Sequence, residues 1–181
     1  TNHAYGRAEA LRLGRALAEY DLRWYEEPVA PEDLRGYVEM RDKLTMPIAG
    51  GENEHTLFGF RALIGGGCVD IAQPDIGSAG GFTACRHIVA LAHAHGVQVN
   101  PHVWGSAVAQ AASLQLIAAI PPAHHALAPP EPMLEYDRSA HPFRRDLVRE
   151  PIEQDGGTVA IAMKPGLGIE IDRGVLARYR A

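Results

Sequence analysis

The sequence predicts an α/β fold, a parallel sheet with helical crossovers of the kind that repeats in a βα barrel. Three observations carry this. Short apolar runs alternate with segments whose apolar residues recur at helical spacing. The runs are apolar throughout rather than alternating, as expected of strands buried on both faces. Each run stops at a polar residue able to do chemistry. The stops are Glu26, Glu52, Asp75, His102 and Glu135, at intervals of 26, 23, 27 and 33 residues, each the length of one strand–helix unit.

Taken in order, residues 7–20 place Ala10, Leu13, Leu17 and Ala18 at helical spacing. Leu22 to Tyr25 is the first apolar run, ending at Glu26-Glu27-Pro28. Pro31 to Leu44 reads as a helix, with Pro31, Glu32 and Asp33 at its start. Pro47-Ile48-Ala49 is the second run, ending at Gly50-Gly51-Glu52, where the glycines permit close backbone approach. Thr56 to Ile64 is helical and is closed by three glycines. Val69 to Ala72 is the third run, ending at Gln73-Pro74-Asp75. Gly80 to His95 is a long helix stopped by Gly96. Val97 to Val99 is the fourth run, ending at Asn100-Pro101-His102. A helix follows from Gly105 to Ile120, ended by Pro121-Pro122, and Met133-Leu134 is a fifth run before Glu135. Residues 138–181 differ: Gly156-Gly157-Thr158-Val159 and Pro165-Gly166-Leu167-Gly168 read as a turn and short strands leaving the barrel. The domain reading is therefore a partial barrel over 1–137 and a C-terminal segment over 138–181.

Composition narrows the function. Of 181 residues, 46% are apolar and 22% charged, enough to build a core. The net charge of −5 and the lack of a basic stripe exclude nucleic acid as the expected partner. The longest apolar stretch, Val108 to Ile120, is broken by Gln110, Ser113 and Gln115, so no membrane span is expected. Two cysteines, Cys68 and Cys85, make no disulfide framework and read as small buried apolar residues of a cytoplasmic protein.

In a βα barrel, active sites assemble at the carboxyl ends of the strands. Glu26, Glu52 and Asp75 end three consecutive runs, and hard oxygen ligands on adjacent strands suit Mg²⁺. Any one of these acids alone is ordinarily a solvated loop residue. Asp75 and His102 end neighbouring runs. A carboxylate beside an imidazole fixes its tautomer and raises its basicity, which makes His102 a general base. On spacing alone, a loop histidine bonded to backbone is an equal reading. His93 and His95 are two apart and share no helix face, and they, like His87, read as solvent-facing. His124-His125 lie in a Pro-rich loop near the fifth run. Trp104 either walls a substrate pocket or packs in the core.

Five motifs occur in order: Trp24-Tyr25-Glu26-Glu27-Pro28, Gly50-Gly51-Glu52-Asn53, Gln73-Pro74-Asp75-Ile76 with Gly80-Gly81, Asn100-Pro101-His102-Val103-Trp104-Gly105, and Pro165-Gly166-Leu167-Gly168. Together they resemble the enolase superfamily, in its mandelate racemase subgroup. The resemblance implies a TIM-type (β/α)7β barrel. This chain would hold its C-terminal part, about five strands of eight. It implies Glu26 and Glu52 as Mg²⁺ ligands, with Asp75 moved from ligand to partner of the base His102. Glu135 matches the last-strand acid that hydrogen-bonds the enolate-side carboxylate oxygen, and Asn53 a second-layer or substrate contact. The implied reaction removes the proton next to a carboxylate to give an enediolate. Racemisation, dehydration or lactone opening can follow, and Mg²⁺ with a Lys or His base is the known pairing in such sites. Leu134-Glu135-Tyr136-Asp137 followed by His141-Pro142-Phe143-Arg144 looks closer to acid-sugar members, such as galactarate-type dehydratases and galactarolactone cycloisomerases, than to mandelate racemase itself.

The family's first metal ligand is an Asp two residues before an Asn. That Asn matches Asn2, which would place the Asp one position before Thr1, with a lysine motif, the first three strands and a capping domain further upstream. The expectation is therefore a longer natural gene product. The isolated chain is expected to be inactive, and to need pairing as a homo-oligomer to cover open strand edges. The alternative is a non-catalytic barrel remnant serving as an oligomerisation or binding module.

Overall fold

The structure, a computed structural model, describes residues 1–122 and 130–180. Four strand–helix units make up its first two-thirds. Strands β1 (Tyr25–Glu26), β2 (Ile48–Gly50), β3 (Ile71–Ala72) and β4 (Gln98–Val99) form one parallel sheet in that order. The register aligns Glu26 with Ala49, Ala49 with Ile71, and Ile71 with Gln98. Helices α1 (Arg7–Leu17), α2 (Leu34–Lys43), α3 (Thr56–Gly65), α4 (Gly81–Ala94) and α5 (Ala107–Ala118) cover the outer face. Tyr25, Ile48, Ala72 and Val99 pack outward against Met40, Phe60, Leu63, Ile64 and Ile88 in the main core. Glu26, Ala49, Ile71 and Gln98 stand on the opposite, inner face.

Helix starts fall where caps, not composition, place them. Asp33 accepts from the Gly36 N–H, so α2 begins at Leu34 and not at Pro31. Ser106 accepts from the Ala109 N–H, which starts α5 at Ala107 rather than Gly105. Residues 18–20 tighten into a 3₁₀ turn that ends at Asp21 in the left-handed region.

The fifth run departs from expectation. Met133-Leu134 joins no strand, and the parallel sheet has four members among the described residues. Side chains hold the segment instead: Asn100 Oδ1 accepts from the Met133 N–H at 3.1 Å, and Glu135 Oε2 accepts from the Val103 N–H at 2.8 Å.

Residues 138–180 carry short elements. They are α6 (Pro142–Arg145), the antiparallel pair β5 (Gln154–Asp155) and β6 (Thr158–Val159), and α7 (Arg173–Arg178), capped by Asp172. The Gly156-Gly157 turn has φ of 56° and 84°, the left-handed region that glycine enters freely. Here the expected turn with short strands is present. Cys68 and Cys85 are buried and unpaired, and no helix of the described residues is long and apolar enough to cross a membrane.

Candidate active site at the strand ends

The carboxyl ends of β1–β4 bring Glu26, Glu52, Asp75 and His102 to one end of the sheet. Glu135 joins them from the fifth segment. Asp75 is held in place before it meets its partner, because its Oδ1 accepts from the Gly77 N–H at 2.6 Å and the Ser78 N–H at 3.3 Å. Its Oδ2 lies 2.8 Å from His102 Nδ1. Burial raises the Asp75 pKa, but the His102 bond and the two backbone N–H groups outweigh it and hold the carboxyl below its usual range. Asp75 is thus ionised and accepts a hydrogen bond, so the proton of the neutral imidazole is on Nδ1 and the Nε2 lone pair is free. Nε2 faces Glu52 Oε2 at 3.6 Å and Glu135 Oε2 at 4.0 Å. Burial lowers the His102 pKa, yet the Asp75 bond and the charges of Glu52 and Glu135 more than offset it, and the net direction is upward. The geometry decides against a loop histidine bonded to backbone.

Glu135 is raised by burial, with Glu26 and Glu52 adding in the same direction against the Val103 N–H and His102. The charges acting on Glu135, Glu27 and His102 are carboxylates and histidines, with no Lys or Arg among them. The site concentrates carboxylates, opposed by His3 and His102, and that donor set fits a bound cation. Oxygen donors on adjacent strands suit Mg²⁺ in particular.

Glu26 and Glu27, though adjacent, do different things. Glu27 leaves the strand at φ 47°, so the two carboxylates do not follow the usual strand alternation. Glu27 is 2% exposed and fully engaged. Its Oε1 accepts from Asn53 Nδ2 at 3.1 Å, and its Oε2 lies 3.1 Å from His3 Nε2. Burial pushes its pKa up, reinforced by the charge of Glu52. Ligand-capable atoms of His3, Glu27 and Glu52 lie within 4.8 Å of one another. Glu26 instead has Oε2 bonded by Trp24 Nε1 at 2.9 Å and Gln73 Nε2 at 2.5 Å.

The glycines before Glu52 have a steric reason. Gly51 adopts φ 129°, and a Cβ there would meet the Phe60 ring at 2.9 Å. Asn53, expected near substrate, bonds Glu27 and lies 2.8 Å from His3 Nε2. Trp104 is 69% exposed beside the site, so the core-packing reading is set aside. His87 and His95 are exposed on or at the end of α4, as expected, His93 is half-buried rather than solvent-facing, and His124 and His125 lie outside the described residues.

The residues that sequence reasoning missed are Trp24, Gln73, Asn100 and the pair His3–Glu27. Trp24 stands two residues before Glu26 and Gln73 two before Asp75. The strand period of two places each on the face of the residue it precedes, a signal present in the sequence but read only as motif letters.

The family model for enolase C-terminal domain-like proteins matches residues 1–175. The chain is 45% identical over 179 residues to D-galactarolactone cycloisomerase of Agrobacterium fabrum, covering 99% of this chain and 47% of the relative. It is 37% identical over 163 residues to D-xylonate dehydratase of Haloferax volcanii, covering 90% and 38%. The crystal structure of 3,6-anhydro-D-galactonate cycloisomerase from Zobellia galactanivorans superposes with a TM-score of 0.90 at 38% identity, covering 99% of this chain and 48% of that one. The chain thus spans about half the length of the curated cycloisomerase it matches.

Proposed function

Because the chain belongs to the enolase C-terminal domain-like family, we propose that it forms the catalytic barrel portion of a Mg²⁺-dependent lyase or isomerase. The enzyme would remove the proton next to a carboxylate of an acid sugar or its lactone. The activity is assigned to the full-length protein rather than to these 181 residues alone. Residues 1–137 would supply the partial barrel, and 138–181 a segment returning toward the capping region. The observation that carries the reading is the Asp75–His102 pair, whose free Nε2 opens onto Glu52 and Glu135.

His102 Nε2 accepts the α-proton, and Asp75 keeps the ring in the tautomer that leaves Nε2 able to do so. As the imidazole becomes charged, Asp75 and Glu52 stabilise it. Glu135, its pKa raised toward the neutral form, is placed to hydrogen-bond a substrate carboxylate oxygen. Glu26 and Glu52 would hold the Mg²⁺, which when bound neutralises charge developing on that carboxylate. Glu26 is chosen over Glu27 because both Glu27 oxygens are engaged and its side chain is buried. Asn53 and Trp104 would contact substrate at the rim. The relatives named cycloisomerase and dehydratase support this substrate class.

The test is proton exchange. The full-length protein with Mg²⁺ is given hexarates and their lactones in D₂O, and α-deuterium incorporation and product are followed by NMR. The expected result is turnover or exchange of at least one acid sugar, lost in Glu26→Gln and retained in part by Glu27→Gln. No exchange with any substrate overturns the reading. Loss of divalent-cation binding in Glu27→Gln with binding intact in Glu26→Gln reassigns the ligand to the His3–Glu27–Glu52 cluster.

A further inference from the structure

We propose that Trp24 and Gln73 are positioning residues that lock the Glu26 carboxylate by one oxygen and so present the other, Oε1, to the cation; this rests on the metal-ligand reading of Glu26 given above. Two neutral N–H donors converge on Oε2, Trp24 Nε1 at 2.9 Å and Gln73 Nε2 at 2.5 Å. Oε1 accepts from no group among the described residues.

The two donors arrive from different directions. Trp24 precedes Glu26 by two residues on the same chain, which puts both side chains on the inner face. Gln73 reaches from just beyond β3, across the whole width of β2. Adjacent strands lie about 4.8 Å apart, so that reach is about 10 Å between backbones. It is open because the β2 residue aligned with both Glu26 and Ile71 is Ala49, which contributes only a methyl group. Gln73 is itself buried, at 7% exposed. The buried Gln73 amide is aimed across β2 at the Glu26 carboxylate, two strands away.

The chemical consequence follows from the donors' neutrality. Neither donor carries a charge, so the pair fixes the torsion of the carboxylate without neutralising it. Full negative charge stays available to a cation. Mg²⁺ demands near-octahedral geometry at about 2.0–2.1 Å and tolerates misplacement poorly. A carboxylate with one oxygen already occupied binds through the other and does not rotate. Partners of this kind typically change metal affinity by about 10–100-fold when removed.

The experiment measures Mg²⁺ binding to the full-length protein by calorimetry, with Mn²⁺ electron paramagnetic resonance as a second readout of site geometry. Three variants are compared with wild type. Gln73→Met keeps length and burial and removes the donor, Trp24→Phe keeps an aromatic ring and removes the N–H, and Glu26→Gln is the reference for loss of the ligand. The expected result is a Kd raised by about 10–100-fold in Gln73→Met. A smaller rise is expected in Trp24→Phe, with a broadened Mn²⁺ spectrum in both and an unchanged melting temperature of the metal-free protein. Trp24→Phe tests the same oxygen independently should Gln73→Met fail to fold. Wild-type Kd in both variants, with binding lost in Glu26→Gln, overturns the inference and leaves the ligand assignment standing. Binding retained in Glu26→Gln, or no binding in wild type, overturns both.

Discussion

The sheet portion and the C-terminal segment are held together by different physics. Every fully buried member of the main core lies between Ala10 and Leu116. There, parallel ladders fix the register of β1–β4, and Glu26, Glu52, Asp75 and His102 follow at the strand ends. Beyond residue 138 the buried side chains are few: Arg144, Leu147, Val148 and Val175. Its ion pairs are the largely buried Arg144–Asp137, which reaches back before residue 138, and the exposed pairs Arg145–Glu153, Arg149–Glu170 and Lys164–Glu150 within the segment. Glu135 sits where the two regimes meet, its carboxylate accepting from the Val103 N–H and its segment held by the Asn100 side chain at Met133. Where a ladder positions a residue, its neighbours specify it. Where side chains position it, one substitution can release it.

The largest expected effect comes from the sheet portion. His102→Asn removes the basic nitrogen and keeps a polar group of similar reach to Asp75. General-base catalysis is worth about 10²–10⁴ in rate, so kcat of the full-length enzyme should fall by at least about 100-fold. Its melting temperature should change little, because the ladder holds the β4 end without the imidazole. A kcat within a few-fold of wild type would remove His102 from the chemistry.

Next comes the joint. Asn100 is 4% exposed, and its Oδ1 accepts from both Gln98 Nε2 at 3.2 Å and the Met133 N–H at 3.1 Å. Asn100→Ala strands those donors. A fully buried unsatisfied donor costs about 1–3 kcal/mol, so these half-buried donors should cost about 1 kcal/mol, read as a lower urea midpoint. Activity should fall further than stability explains, since the segment that carries Glu135 loses its hold at Met133 while Glu135 keeps only the Val103 N–H. An unchanged midpoint would mean that the fifth segment is held by something other than Asn100.

How much of this was legible follows the same division. The strand ends were readable because a buried parallel strand leaves a compact trace, an apolar run closed by a polar residue. Glu26, Glu52, Asp75 and His102 each closed one. The fifth run was misjudged because Met133-Leu134 has the composition of a strand but a partner that is a side chain, which no periodicity encodes. Helix starts were misplaced by two or three residues at Asp33 and Ser106, where a cap competes with Pro or Gly for the boundary. Gln73 and Trp24 were in view as motif letters. Their convergence on one oxygen is a contact across β2 and has no local signature. The helices α6 and α7 were not anticipated, since segments of four and six residues are too short to show a helical period.

Acid separates the two regions further. The Ser139 N–H, which donates to Asp137 Oδ1 at 2.7 Å, leads the Ser139 hydroxyl and Arg144 in holding the Asp137 carboxyl below its usual range. A depressed folded pKa contributes stability that is complete above the unfolded value of about 3.9 and is lost as pH falls through the folded one. Protection of the Ser139 amide, taken relative to its intrinsic exchange rate at each pH, should therefore be present at pH 5 and be lost below about pH 4, with the core amides of β2 and β3 still protected. In Asp137→Asn that protection should be low at both pH values. Equal protection in variant and wild type would show that Asp137 does not hold this segment.

The smallest effect is expected where the C-terminal segment has a backbone contact of its own. Arg149 Nε and Glu170 Oε1 are 3.1 Å apart, but both side chains are about two-thirds exposed. Exposed pairs contribute about 0–1 kcal/mol and are screened by salt. Beneath them the Arg149 N–H donates to the Glu170 carbonyl at 3.0 Å and the Asp172 N–H to the Leu147 carbonyl at 2.8 Å, around the Val148–Ile171 bridge. Glu170→Gln leaves both backbone bonds in place, so the melting temperature should drop by less than about 3 °C, and by still less in 0.5 M salt. A larger drop that salt abolishes would mean that surface charge, rather than this short antiparallel contact, closes the C-terminal segment. The contrast with the ladder-held sheet would then be wider than the backbone bonds imply.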